Sequence, residues 1–342
     1  MTYLRNCWYM AAWSDELGEA GLARKFLDEA VLMLRDGEGR ATALFDRCPH
    51  RFAPLSAGKV QDGVATCRYH GLAFDGTGTC VRNPHGPATR SLAVRTFPVI
   101  EAHRALWIWM GEPARVDPAA LCDLSFLTRV PDTAFNRGYL HGQANYQLYV
   151  DNILDLSHTD FLHPDTLGGG SITRTRGKVE SRSDGSVVVR WDCPDDVPGP
   201  LVRSKLPPSV ERADSWTYVE WSAPAIMSLE NGAVAAGTPR DRPGLSRNVH
   251  VMTPETVTTT YYFFASTRNY ALDDAALNAE IGRVRREIFA TEDEPMIAAQ
   301  QTRIGTADFG ALGPALLRTD EAAVTVRRRL DAMIAAEQQA AA

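Results

Sequence analysis

Four residues on two short segments carry the first legible chemistry. Cys48-Pro49-His50-Arg51 offers a thiol and an imidazole two positions apart, and Cys67-Arg68-Tyr69-His70-Gly71 offers the same pair three apart, with sixteen residues between His50 and Cys67. Two such loops can grip one inorganic centre. A [2Fe–2S] cluster needs four protein ligands, and two neutral imidazoles on one of its irons raise the reduction potential above that of a four-thiolate cluster. Structural zinc also takes two Cys and two His, but it usually pairs like with like, in C-x₂₋₄-C and H-x₃₋₅-H spacings. Here each loop supplies one of each, which favours the cluster. Pro49 and Gly71 suit loops whose backbone approaches a cluster closely and donates hydrogen bonds to sulfur.

A second set lies in Asn152-Ile153-Leu154-Asp155-Leu156-Ser157-His158-Thr159-Asp160-Phe161-Leu162-His163-Pro164. Asn152, Asp155 and His158 recur every third position, so on a helix they line one face. Asp155 is then placed to reach the ring N–H of His158, orienting the imidazole and raising its strength as a metal ligand. His163 follows His158 by five residues, which on an undistorted helix turns it about 140° away. Pro164 disfavours helical geometry at His163, so the helix is expected to end there and the second imidazole to swing toward the same metal. Two histidines and one carboxylate on one face, with open positions left, are the ligand set of oxygen-activating non-heme iron. Thr291-Glu292-Asp293-Glu294-Pro295 offers the carboxylate, and on spacing alone Glu292, Asp293 and Glu294 are all open. The bland alternative is acids favoured at the start of a helix that restarts at Pro295, beside two hydrogen-bonded structural histidines. The register of Asn152 and Asp155 argues for metal.

The elements that must hold these groups change character along the chain. The first third is punctuated like a β domain: Ala30 to Leu34, Thr42 to Phe45, Val64 to Cys67 and Ala105 to Trp109 are separated by Asp36-Gly37, Asp62-Gly63 and Asp75-Gly76, and such Asp-Gly pairs are turn signals. Gly111 to Pro118 reads as a linker. Beyond it, Tyr146 to Phe161 reads as a helix, the stretches around Ser186 to Trp191, Ser215 to Trp221 and Val257 to Phe264 as strands of an antiparallel sheet, and Asp273 to Arg303 as a long helix. The expected architecture is α+β, with an all-β domain over 1–115 followed by a domain over 116–342 that holds an antiparallel sheet flanked by helices.

Composition removes several classes of function. The formal net charge is -6, with no clustered basic tract, which argues against nucleic acid as a partner. The strongest apolar run, Ala105 to Met110, is far below the roughly 20 residues a membrane-spanning helix needs. No export signal is legible between Met1 and Trp13, and a cytoplasmic location is expected. Six cysteines in 342 residues do not make a disulfide scaffold. Cys7, Cys80, Cys122 and Cys193 read as buried thiols, and His85, His103 and His141 as surface or core histidines. No Gly-x-Gly-x-x-Gly fingerprint is present, so electrons for a redox centre are expected from a separate protein.

With both sets in place, the chain resembles the Rieske non-heme iron oxygenases. Cys48-Pro49-His50-Arg51-Phe52-Ala53-Pro54-Leu55-Ser56, Cys67-x₂-His70-Gly71-Leu72 and the opening Arg5-Asn6-Cys7-Trp8-Tyr9 are similar to the group containing vanillate O-demethylase, toluenesulfonate monooxygenase and dicamba monooxygenase. The resemblance implies a Rieske [2Fe–2S] cluster on Cys48, His50, Cys67 and His70, and a mononuclear Fe(II) on His158, His163 and Asp293, with Asn152 and Asp155 beside it. It implies an oxygenase component that uses O₂ to demethylate a methoxy group or hydroxylate a methyl group on a small, acidic aromatic compound, as in aromatic catabolism. NAD(P)H would act indirectly through a ferredoxin or flavin reductase. A head-to-tail homotrimer is also implied, with electrons passing from His70 of one chain through Asp155 to His158 of the next. His250 matches a substrate-facing position, while Leu229 and Val284 replace polar or aromatic groups of dicamba monooxygenase. Glu294-Pro295 departs from the family's usual basic residue at position 294. Leu72 stands where the larger ring-dihydroxylating subunits carry Trp, which makes a ring dihydroxylase the second choice. A pure electron carrier would leave the second set unexplained, and a zinc-stabilised binding module predicts a colourless protein.

Overall fold

The computed structural model describes residues 3–241, 243–306 and 309–341. They divide into two compact units, one built from the chain up to Leu121 with Pro254–Thr256 and the segment from Glu337, the other from Cys122–Thr253 with Val257–Ala336.

The first unit is all β. Its strands are β1 (Trp8–Trp13), β2 (Leu22–Phe26), β3 (Glu29–Arg35), β4 (Ala41–Phe45), β5 (Lys59–Gln61), β6 (Val64–Thr66), β7 (Ala73–Asp75), β8 (Cys80–Arg82), β9 (Thr96–Phe97), β10 (Val99–Ala102) and β11 (Ala105–Trp109). They form three sheets, ordered β1-β11-β10, β2-β3-β4-β9 and β5-β6-β7-β8. Every residue of β1 and of β11 is buried, so these two aromatic-rich strands belong to the core of the unit, with Trp8 and Trp109 packed edge to face. The two Cys-His segments follow β4 and β6. Leu32, Leu44, Leu55, Leu72 and Phe74 pack around Cys48 and Cys67 in one apolar cluster, which fixes both loop bases on a rigid floor.

The second unit is built on a sheet of seven strands, β12 (Phe135–Gly142), β13 (Lys178–Ser181), β14 (Val187–Asp196), β15 (Ala213–Ser222), β16 (Ile226–Ala235), β17 (Gly244–Thr256) and β18 (Thr259–Arg268), in the order β12-β18-β17-β16-β15-β14-β13. The expected all-β front followed by an antiparallel sheet with helices is therefore the fold observed. The helices that matter for the site are α1 (Tyr146–Leu154), α2 (Thr159–Leu162), α3 (Ser171–Arg174), α4 (Pro200–Arg203), α5 (Ala275–Ile288) and α6 (Glu294–Ile304). Asp274 caps α5 by accepting from the Leu277 N–H at 2.8 Å, satisfying one of the free amides of its first turn. Gly282 lets α5 lie close on β12, since a β-carbon there would stand 3.3 Å from that of Asn136. Asn278 donates to the Phe135 carbonyl at 2.6 Å and completes the docking.

Two helices expected to be continuous are interrupted. The first stops at Leu154, because Asp155 adopts φ -115 and ψ 88 and caps a 3-10 turn over Leu156–His158 before α2 resumes. The second contains a π turn over Phe289–Asp293 between α5 and α6. Pro295 accounts for it. Proline has no N–H to give the carbonyl four residues back, and widening the turn redistributes the bonding, as π-bulges at functional sites do.

Candidate functional site

The two loops of the first unit close in the same way. The Cys48 N–H donates to the Ala53 carbonyl at 2.8 Å and the Cys67 N–H to the Leu72 carbonyl at 2.8 Å; in return Phe52 donates to Cys48 at 2.9 Å and Gly71 to Cys67 at 3.0 Å. Phe52 and Gly71, each four residues after its cysteine, both take the left-handed conformation, at φ 61 and 75. Gly71 is thus explained by its backbone geometry as well as by close approach.

Both thiols are buried, at 1% exposure each, while His50 is exposed and His70 half-buried, with ring centroids 4.4 Å apart. Burial raises the Cys48 thiol, the backbone N–H groups of His50 and Arg51 that point at its sulfur oppose this, and the adjoining Cys67 thiol raises it further. His70 is held below its usual value by partial desolvation and by the positive character of His50, Arg51 and His85, which favours the neutral imidazole that a ligand must be. The donor set, two adjacent buried thiols with backbone donors and two adjacent imidazoles at the surface, fits a [2Fe–2S] group. His85 is at the surface, as expected, but its Nε2 also lies 3.0 Å from the His70 carbonyl, a link with no sequence signal.

In the second unit, His158, His163 and Asp293 each present a donor atom within 4.8 Å of the other two. The interruption at Asp155 is what turns His158 toward His163, and α2 ends with His163 at φ -123, as Pro164 requires. His158 Nδ1 lies 2.6 Å from the backbone carbonyl of Asp155. This corrects the expected contact: the Asp155 carboxylate instead accepts from the Ser157 N–H at 2.9 Å, because the helix breaks before the three-residue register can bring it to the imidazole. Since a carbonyl only accepts, Nδ1 carries the proton and Nε2 is left to bind metal.

Glu292 and Asp293 divide the work of holding His163. Glu292 Oε2 lies 2.5 Å from Nδ1 and Asp293 Oδ1 lies 3.1 Å from Nε2. Both acids lie within the π turn. Glu292 is placed behind the imidazole, away from the converging donors. Asn152 Nδ2 donates to Asp293 Oδ1 at 3.2 Å. Burial raises the Asp293 carboxyl, but the neighbouring imidazoles of His158 and His163 outweigh it and hold it at about 2. His163 is likewise raised by its two carboxylate partners against desolvation. Two imidazoles and one ionised carboxylate suit a divalent iron with open positions. Glu294 lies outside the set. Its Oε1 accepts from the Gln143 N–H at 2.8 Å and its Oε2 from the Tyr149 hydroxyl at 2.5 Å, so the departure at position 294 ties α6 to α1.

These three residues stand in the wall of a cavity of about 530 Å³, the size of a small-molecule site. On the helix side Leu156, Leu277, Ile281, Val284 and Ile288 line it together with Glu280 and Arg285; on the sheet side Thr217, Asn231, Ser246, Asn248 and His250 face in. Leu229 also lines it. His250 is buried and its Nδ1 lies 2.7 Å from the Tyr262 hydroxyl. Burial first, then the Arg285 charge, lower its pKa to about 3 against the opposing pull of Asp293, so the ring is neutral. The bond to Tyr262 engages Nδ1 and leaves Nε2 as the ring nitrogen open to the cavity. Of the thiols expected to be buried, Cys80 and Cys193 are, while Cys7 and Cys122 are half-buried; all six cysteines are free.

A family model for the vanillate O-demethylase oxygenase C-terminal domain matches residues 142–336, and one for the Rieske [2Fe-2S] domain matches residues 7–98. The chain belongs to this family of Rieske oxygenases. It is 39% identical over 337 residues to the oxygenase component of chloroacetanilide N-alkylformylase of Rhizorhabdus wittichii, covering 98% of this chain and 97% of the relative. It is 38% identical over 335 residues to the oxygenase component of dicamba O-demethylase of Stenotrophomonas maltophilia, covering 97% and 98%. The crystal structure of dicamba monooxygenase bound to dicamba superposes with a TM-score of 0.90 at 35% identity, covering 99% of this chain and all of that one. This Rieske oxygenase is therefore an oxidoreductase with a [2Fe–2S] Rieske cluster and a mononuclear non-heme iron, of the monooxygenase and O-demethylase kind. Among the described residues, no helix is long and apolar enough to cross a membrane.

Proposed function

We propose that this Rieske oxygenase removes the methyl of a methoxy group from, or hydroxylates a methyl group on, a small aromatic acid. The observation that carries the reading is the convergence of His158, His163 and Asp293 on the wall of an amphipathic cavity large enough for one substituted ring. Relatives named for dicamba, vanillate and toluene-4-sulfonate point the same way.

Cys48, His50, Cys67 and His70 would hold the cluster, and His158, His163 and Asp293 the iron. When bound, the cluster supplies single electrons and the iron activates dioxygen. The chain's own residues prepare for this. The Asp155 carbonyl and the Glu292 carboxylate fix the two imidazoles with Nε2 forward, Asn152 steadies Asp293, and the apolar side chains of the helix wall exclude water from the reacting carbon. His250 offers its Nε2 to a polar group of the substrate. On this reading residues 1–115 form the Rieske domain and 116–342 the catalytic domain, a separate ferredoxin or flavin reductase draws on NAD(P)H, and the protein works in the cytoplasm. The proposed assembly is a head-to-tail homotrimer, in which the Asp155 carboxylate bridges His70 of one subunit to His158 of the next. A heterologous interface that closes into a ring permits such a path.

The test is to supply the red-brown protein, its spectrum checked for bleaching by dithionite, with a Rieske-system reductase, NADH and a panel of methoxy- and methyl-substituted benzoates and sulfonates. Formaldehyde plus a phenol, or an intact benzylic alcohol, is the expected product. A cis-diol would instead favour ring dihydroxylation, and a colourless, zinc-containing protein would overturn the reading.

A further inference from the structure

The residues facing the cavity fall into levels. Along the helix, Arg285 and Phe289 are spaced by four and so lie on one stripe, about 6 Å apart, and the π turn over Phe289–Asp293 carries the chain on to Asp293. Along β17, Ser246, Asn248 and His250 alternate onto the cavity face, about 6.7 Å apart per step. The two rows run in step. An Arg285 amino group donates to Asn248 Oδ1 at 2.7 Å, and the His250 and Phe289 rings pack edge to face with centroids 5.6 Å apart. The next step along the helix is Asp293. The cavity thus has an Arg285 level, a His250 level and a metal-ligand level, in that order along the helix.

The Arg285 level is built for an anion. Arg285 lines the cavity and, among the described residues, donates to two acceptors, Asn248 Oδ1 and the Ala265 carbonyl at 3.3 Å. A guanidinium has five N–H donors, so donors are left over, and no carboxylate among the described residues pairs with it. Its carrier is itself held: Asn248 Nδ2 donates to Asn231 Oδ1 at 3.1 Å, and Asn231 Nδ2 donates to Thr217 Oγ1 at 2.9 Å. This one-way relay across three strands orients both amides and leaves the Asn248 oxygen to Arg285. Burial lowers the Arg285 pKa to about 10, which still leaves it charged at neutral pH.

We infer that Arg285, oriented by the Asn248–Asn231–Thr217 relay, is the specificity-determining cation that takes the carboxylate or sulfonate of the substrate. Because it stands two levels from the metal ligands, the substrate it selects carries the anionic group and the reacting carbon at opposite ends of the ring. The inference deepens the proposed function and rests on it for the location of the reacting carbon.

The test is equilibrium binding, followed by titration calorimetry on the anaerobic, iron-loaded enzyme. The probes are 4-methoxybenzoate, 2-methoxybenzoate and methyl 4-methoxybenzoate. Wild type is expected to bind the para acid at least about 10-fold more tightly than either other probe. Arg285→Met should weaken the para acid by roughly 30-fold or more, the scale for losing a desolvated charge partner, and leave the ester unchanged. Arg285→Lys should restore part of the affinity and serves as the comparison if the methionine variant folds poorly, which the cluster spectrum reports. Unaltered acid binding in both variants, an ester as tight as the acid, or an ortho acid as tight as the para acid would each overturn the anchor. Arginine-dependent binding without product would support the anchor while removing the demethylation reading; product from the para acid with Arg285-independent binding would do the reverse.

Discussion

Glu292 and Asp293, adjacent in sequence, engage opposite nitrogens of one imidazole, with Glu292 2.5 Å from His163 Nδ1 and Asp293 3.1 Å from Nε2. The pair separates two roles that spacing alone left interchangeable. Asp293→Asn is expected to lose the mononuclear iron and keep the cluster. Glu292→Ala should retain iron but weaken it by about 10- to 100-fold, the usual cost of removing a carboxylate behind a metal-bound histidine. Competition with a graded iron chelator distinguishes them; equal iron loss in both variants would make Glu292 a ligand in its own right.

Asp155 holds His158 through its backbone carbonyl rather than its carboxylate. Asp155→Asn should therefore leave both metals bound and can still cap the Ser157 N–H, yet slow turnover by orders of magnitude if the carboxylate bridges subunits. Metal content and steady-state rate are the measurements, and normal turnover sinks the bridging role.

The neutral His250 gives a pH dependence with a definite sign. An unfolded histidine titrates near 6.5, whereas His250 is lowered to about 3 in the fold by burial, with the Arg285 charge adding and Asp293 opposing. Between those values the unfolded chain takes up a proton the folded chain does not, so stability is fully present above pH 6.5 and is lost as pH falls, at about 1.4 kcal/mol per unit. His250→Gln keeps a hydrogen-bond partner for Tyr262 and removes the titration. Denaturant unfolding of both proteins between pH 6.5 and 4.5 should show a shallower decline in the variant; parallel declines would mean His250 protonates in the folded state.

Gly71 should not tolerate a side chain. At φ 75 a β-carbon costs about 1 to 2 kcal/mol, and here it would also meet Pro84 Cγ at 3.1 Å. Gly71→Ala is expected to lower the melting temperature and loosen the cluster, read as faster bleaching of its visible absorption under a chelator. An unchanged cluster lifetime would contradict this account of the loop.

The sequence by itself determined the chemistry. Cys-x-His with Cys-x₂-His named the cluster, because ligand type and local spacing are properties of a few covalently neighbouring residues. The β punctuation of the front third, the helix end at His163 and the family were legible for the same reason. What only the tertiary structure decided were relationships across long separations or broken registers. The break at Asp155 gave His158 a carbonyl instead of a carboxylate, and Glu292 and Asp293, both in the π turn before Pro295, took opposite nitrogens of His163. Arg285 was invisible as an anchor because it gains its meaning from Asn248 and Asn231 on neighbouring strands. Helical spacing predicts neighbours only while the helix stays regular, and a cavity's chemistry exists only once separate strands and helices have been brought around it.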